Sequence, residues 1–229
     1  MLGFLVTLKG RYGVWRAQGK LIAGFVAVFL GIGAGFTAGA EPIRLVALGD
    51  SLTQGYGLAP DQGLVPQLQG WLTERGHDVI VINAGVSGDT TAGGLARLDW
   101  TLADGADAMI VTLGGNDLLR GIDPAVSRAN LDAILSRLAA DGIPALLVGM
   151  PAPANYGSDW QQAFAAMYPE LAAQHGVALY PNLLAPLEGA MASGALDSVF
   201  QPDRIHPNPE GVRLVVAALG PSVAALIGP

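Results

Sequence analysis

The chain has 229 residues, with 12 basic and 19 acidic side chains, three histidines and no cysteine, for a formal charge of −7. That length suits one domain, with or without a terminal appendage. The lack of cysteine excludes a disulfide framework, thiolate-ligated zinc or iron–sulfur and a cysteine nucleophile, and the acidic balance argues against a nucleic-acid binder, which carries a basic face.

The charge is unevenly placed. Residues 1–40 hold Lys9, Arg11, Arg16 and Lys20 and no acid, a charge of +4. Residues 41–229 hold eight arginines, no lysine and all 19 acids, a charge of −11. After the basic start, residues 21–40 are uncharged and end in Ala38-Gly39-Ala40, a small-x-small pattern. This predicts a signal peptide over 1–40, cleaved after Ala40, and an exported domain over 41–229 that is periplasmic or secreted. An uncleaved anchor is the alternative, because the uncharged stretch is just long enough to cross a hydrocarbon core of about 30 Å.

From residue 43 onward, short aliphatic runs alternate with helical patterns. Residues 43–48 (IRLVAL) predict a first strand, 63–75 a helix closed by Gly76, and 77–82 (HDVIVI) a second strand. A helix over 91–102 leads to a third strand at 108–113 (AMIVTL). The next helix is the best marked. Asp123 is its N-cap, Pro124 suits N1, Leu131, Ile134, Leu135 and Leu138 share one face, and Gly142 follows the end. A fourth strand at 143–148 has Pro144 near its start, where a missing ladder donor is tolerated. A helix over 160–175, a short strand at 177–180 and a last helix from Asn208-Pro209 to about residue 219 complete the order. The expected fold is therefore α/β, a parallel sheet of about five strands covered by helices on both faces. Such sheets bind ligands beyond the C-terminal strand ends, so function is expected just after residues 48, 82, 113 and 148.

Polar, glycine-rich motifs stand after the first three strands: Gly49-Asp50-Ser51-Leu52, Ser87-Gly88-Asp89-Thr90 and Gly114-Gly115-Asn116-Asp117. Asp203-Arg204-Ile205-His206-Pro207-Asn208 precedes the last helix. A serine hydroxyl needs a base, a neutral imidazole can serve near pH 7, and the imidazole needs a carboxylate to fix its tautomer. A tetrahedral intermediate then needs donors, which glycine amides and an asparagine side chain supply. Ser51, Gly88, Asn116, Asp203 and His206 together make an acyl-transfer set. Asp50, Asp89 and Asp117 are expected to shape their loops and Ser87 to be a turn residue. His77 and His175 are expected to be structural, no metal-ligand spacing occurs, and the absence of GxSxG disfavours nucleophile-elbow hydrolases.

The four blocks GDSL, SGDT, GGND and DxxHPN, in this order and spacing, resemble those of the SGNH (GDSL) hydrolases. Pro153-Ala154-Asn155-Tyr156-Gly157 and the Ala163-Phe164 to Tyr168-Pro169 helix make the chain similar to the thioesterase I, arylesterase and lysophospholipase branch. The resemblance implies a flavodoxin-like three-layer α/β/α fold over residues 43–219. It also implies Ser51 as nucleophile and oxyanion donor, Gly88 and Asn116 as further donors, and Asp203 with His206 as the rest of a triad. An esterase of this kind needs no cofactor, takes a small-molecule or lipid ester, and touches a membrane only through its leader or a lipid substrate. Tyr156 is expected to border the substrate pocket, against the alternative of a rigid Pro-rich connector. A polysaccharide or peptidoglycan deacetylase and a silent binding protein on the same fold are the rival functions.

Overall fold

The computed structural model describes residues 41–152 and 154–228, and the predicted leader lies outside them. Five strands, β1 (Ile43–Gly49), β2 (Val79–Gly85), β3 (Ala108–Thr112), β4 (Ala145–Val148) and β5 (Ala178–Tyr180), form one all-parallel sheet in the order β2-β1-β3-β4-β5. Nine α-helices run in chain order among the described residues: α1 (Ser51–Gln54), α2 (Leu64–Thr73), α3 (Thr91–Ala96), α4 (Leu98–Thr101), α5 (Gly115–Leu119), α6 (Pro124–Ala140), α7 (Ser158–His175), α8 (Glu188–Ser193) and α9 (Pro209–Ile227).

The strand order fixes the layers. From β1 the chain crosses to β2 on one side; from β2 onward it steps through β3, β4 and β5 toward the other. Right-handed crossovers then place α2 on one face and α3, α6 and α7 on the opposite face. Accordingly α2 packs against α9, while α6 packs against both α3 and α7. The central strands β3 and β4 are buried throughout, as their unbroken apolar runs demand. The edge strand β2 alternates in burial, and the side-chain amide of Gln69 on α2 satisfies its free rim by accepting from the Val81 N–H (2.8 Å) and donating to the Val79 carbonyl (2.9 Å).

Two departures from the sequence expectation have physical causes. The helix expected over 91–102 is broken at Arg97, whose guanidinium is drawn to Asp89 (2.6 Å) and to the Gly49 carbonyl (2.9 Å). Gly94 stays a glycine there because a Cβ would come within 2.3 Å of Leu113. The last helix does not stop near residue 219 but continues through Pro221 to Ile227. Losing one backbone donor is offset by burial of Leu219 and Val223 and by the seat of Gly220 against the Trp71 ring. Although α9 is long and apolar enough to cross a membrane, its packing on α2 and the sheet makes it a core helix. The short helices α1, α5 and α8 fall where sequence showed only loops.

Register sets the level of the site. Gly49 on β1 pairs with Gly85 on β2 and with Thr112 on β3, so three strands end on one line. Gly85 also admits α1, since a Cβ there would lie 2.3 Å from the Gln54 backbone nitrogen. Gly85→Ala should therefore lower stability by about 1–3 kcal/mol through overpacking against backbone that cannot yield. Exposed Gly70 in α2 has open space around it, so Gly70→Ala should raise stability by about 0.5–1 kcal/mol. Urea melts of the two variants check both signs.

Candidate active site

Asp50 begins the site. It is the N-cap of α1, its carboxylate accepting from the Leu52 N–H at 3.0 Å. Ser51 is thus the first residue of a helix, and its own N–H has no acceptor within that helix. The other oxygen of Asp50 accepts from the side-chain amide of Asn116 at 3.3 Å. One buried carboxylate therefore ties the serine helix to the asparagine after β3. Burial pushes this carboxyl up to about 6, against the opposing pull of the Leu52 N–H and the Asn116 amide.

Asn116 is held from its other side as well. Gly114 enters α5 with φ +119°, a left-handed geometry, and a Cβ there would collide with the Tyr168 hydroxyl, which donates to the Leu113 carbonyl at 3.0 Å. The neighbouring Asp117 is buried and accepts from the Thr91 N–H (2.8 Å), the Thr91 hydroxyl (2.6 Å) and the Ser127 hydroxyl (2.8 Å). These bonds lock α5 to α3 and α6. Gly88, with φ +84°, lies in the turn after β2, where its carbonyl accepts from Arg120 at 2.7 Å.

The last members come from the loop before α9. The Asp203 carboxylate accepts from the backbone N–H groups of Ile205 and His206, each at 3.0 Å, and from His206 Nδ1 at 2.6 Å. Burial acts to raise the Asp203 carboxyl, but the bonds from His206 and the two backbone N–H groups outweigh it and hold it at about 2. Asp203 is thus an ionised acceptor at neutral pH, so Nδ1 carries the imidazole proton and Nε2 is left as acceptor. His206 Nε2 stands 2.9 Å from Ser51 Oγ. The arrangement gives a serine hydroxyl facing an imidazole whose tautomer is set by a carboxylate, the geometry of an activated nucleophile.

Ser51, Gly88, Asn116 and His206 all line one cleft of about 470 Å³. Its walls are mostly apolar, including Leu119, Met150, Met191, Phe200 and Ile205. Asp203 stands outside this lining and reaches the site through His206.

Tyr156 is not in the cleft wall, contrary to the expectation that it borders the substrate. Its hydroxyl donates to the Leu119 carbonyl at 3.3 Å, and its ring packs on Trp160 and over Gly121. It supports the end of α5 from behind, and Met150, Pro151 and Ala152 of the same segment reach the cleft instead. Two contributors were not legible. Gln201 donates to the Tyr56 carbonyl (2.8 Å) and the Pro207 carbonyl (3.1 Å), joining the loop after α1 to the histidine loop. The Tyr56 ring lies against His206 with centroids 4.8 Å apart. No local pattern marks either residue, because both act across the fold. His175 pairs with Asp132 (2.6 Å) between α7 and α6, away from the cleft. Among the described residues, no group of three or more His, Cys, Asp or Glu could hold a metal ion.

Comparison with known proteins agrees with the fold. A model of the GDSL-like Lipase/Acylhydrolase family matches residues 47–214. Esterase TesA of Pseudomonas aeruginosa is 41% identical over 188 residues, 82% of this chain and 88% of that protein. "Thioesterase 1/protease 1/lysophospholipase L1" of Escherichia coli K12 is 36% identical over 166 residues, 72% of this chain and 75% of that protein. The crystal structure of TesA superposes with a TM-score of 0.72 at 38% identity, covering 80% of this chain and 99% of that one. The chain therefore belongs to the GDSL-like lipase/acylhydrolase family and is an ester hydrolase of the SGNH type.

Proposed function

We propose that the protein is an exported serine esterase that cleaves carboxylic esters or thioesters through an acyl-enzyme on Ser51. The observation that carries this reading is the continuous line from Asp203 through His206 to Ser51 Oγ, with bonds of 2.6 and 2.9 Å, opening into the cleft lined also by Gly88 and Asn116. Ser51 Oγ attacks the acyl carbonyl while Nε2 of His206 takes its proton, and ionised Asp203 stabilises the imidazolium so formed. The Ser51 and Gly88 amides and the Asn116 side chain receive the oxyanion. His206 gives its proton to the leaving alcohol or thiol, the acyl-enzyme remains, and His206 then activates water to release the acid.

The apolar walls favour an acyl or aryl group over a polar glycan, which places the deacetylase reading second. TesA carries the name esterase, and the Escherichia coli relative those of thioesterase and lysophospholipase. Those names support the same substrate class here. The basic, uncharged-cored leader supports periplasmic or secreted placement, or a membrane anchor if the leader is retained.

Asn116 acts on charge that exists only in the transition state. Asn116→Ala should lower kcat on p-nitrophenyl esters by about 10²–10³ while KM changes little, and Ser51→Ala should abolish turnover. Near-native steady-state rates in either variant would contradict the assignment.

Asp50 makes a separate pH prediction. Its folded value, about 6, lies above the ordinary 3.8, so between these two values the folded chain retains a proton that the unfolded chain releases. Its contribution to stability therefore falls as pH rises through that window and levels off above about 6. A shift of about two units corresponds to about 3 kcal/mol at most. Denaturant melts of wild type and Asp50→Asn should show the variant gaining stability relative to wild type from pH 4 to 7; a difference flat with pH would contradict this.

A further inference from the structure

Each of the other seven arginines among the described residues is engaged, five with carboxylates and two with backbone carbonyls alone. Arg204 is not. Its guanidinium has no hydrogen bond or ion pair among the described residues, although these include all 19 acids, and the residue lines the cleft that Ser51 and His206 also line. The ionisable residues that line this cleft are Asp50, His206 and Arg204, and the first two are already bonded to other members of the site.

The backbone at this position is equally unusual. Arg204 has φ +58°, and among the described residues no other non-glycine has a positive φ. The turn is imposed by the site: Asp203 accepts from the N–H groups on both residues that follow Arg204, and the Arg204 N–H donates to the Gln201 carbonyl at 2.9 Å. Glycine would fill this left-handed position without strain. A long cation is held there instead, next to the base and without a partner, and strain of this kind concentrates at functional positions.

We propose that Arg204 is a specificity-determining residue that binds a phosphate group on the alcohol portion of the ester. The proposal rests on the esterase reading above. His206 must protonate the leaving alcohol, so the alcohol lies on the His206 side of the cleft, and Arg204 is two residues away on the same loop. A guanidinium presents paired donors that match a phosphate. The −11 charge of residues 41–229 repels an anion at long range, but that repulsion is screened beyond about 8 Å in physiological salt. A contact cation at the reacting end therefore decides whether the anion is held. The apolar cleft and the anion-binding rim together favour an ester with an apolar acyl group and a phosphate on its alcohol portion.

The test compares kcat/KM for a short-chain monoacylglycerol phosphate with that for the matching neutral monoacylglycerol, both below aggregation, in wild type and in Arg204→Gln, Arg204→Gly and Arg204→Lys. The anionic-to-neutral ratio should fall at least tenfold in the Gln and Gly variants, mainly through KM on the phosphate ester, and partly recover in Lys. In wild type the ratio should drop as salt rises from 20 to 500 mM, and in Arg204→Gln it should not. Because glycine suits the backbone here, the melting temperature of Arg204→Gly should match or exceed that of wild type, which separates loss of binding from loss of fold. An unchanged ratio in Arg204→Gln, with the neutral ester still turned over by wild type, overturns the proposal and leaves the esterase reading intact. Wild type inactive on both esters and on p-nitrophenyl esters overturns that reading itself.

Discussion

The chain leaves β1 in one direction and returns to β3 from the other, and this reversal opens the crevice on which every functional contact depends. Adjacent parallel strands whose connections run to opposite faces cannot both have their C-terminal ends covered by the same loop. The space above β1 and β3 therefore stays open. Gly49, Gly85 and Thr112 end on one line beneath it, so Ser51, Gly88 and Asn116 reach it from three separate strands after only a few residues each. The site is assembled by register rather than by any long loop.

Buried carboxylates hold that assembly together, and they do so in two ways. Asp117 is surrounded by three donors from α3 and α6, so its buried polar oxygens are satisfied by dedicated bonds. Asp50 has two, the Leu52 N–H and the Asn116 amide, and burial dominates its behaviour. The site keeps a poorly compensated carboxylate under its serine because that group fixes the relative position of the helix bearing Ser51 and the asparagine facing it. Asp203 stands at the opposite extreme, near the surface and stabilised by three bonds. The carboxyl under the serine is pushed up and the one behind the histidine is pulled down.

Much of this was legible in the sequence. Five strands, their parallel arrangement and the main helices followed from apolar runs, caps and terminal glycines, because those signals are local and were not opposed by tertiary contacts. The four blocks that resemble the SGNH hydrolases end at the strand termini that the fold brings together. What the sequence did not carry was set across the fold. The break at Arg97 depends on Asp89 and on a carbonyl from β1; the continuation of α9 through Pro221 depends on Trp71. Tyr156 stood in the right segment, but the segment turns so that Met150 to Ala152 face the cleft and the tyrosine braces α5 from outside. Arg204 was given no role from sequence, since a left-handed backbone at a non-glycine residue leaves no mark there.

The central claim is that Ser51 is a nucleophile activated by His206. Treating the folded protein with an organophosphonate ester and locating the adduct by mass spectrometry tests it most directly. A single stoichiometric phosphonyl group on Ser51, absent after His206→Ala under the same exposure, is the predicted result. No adduct on folded wild type, or one on another serine, would contradict it.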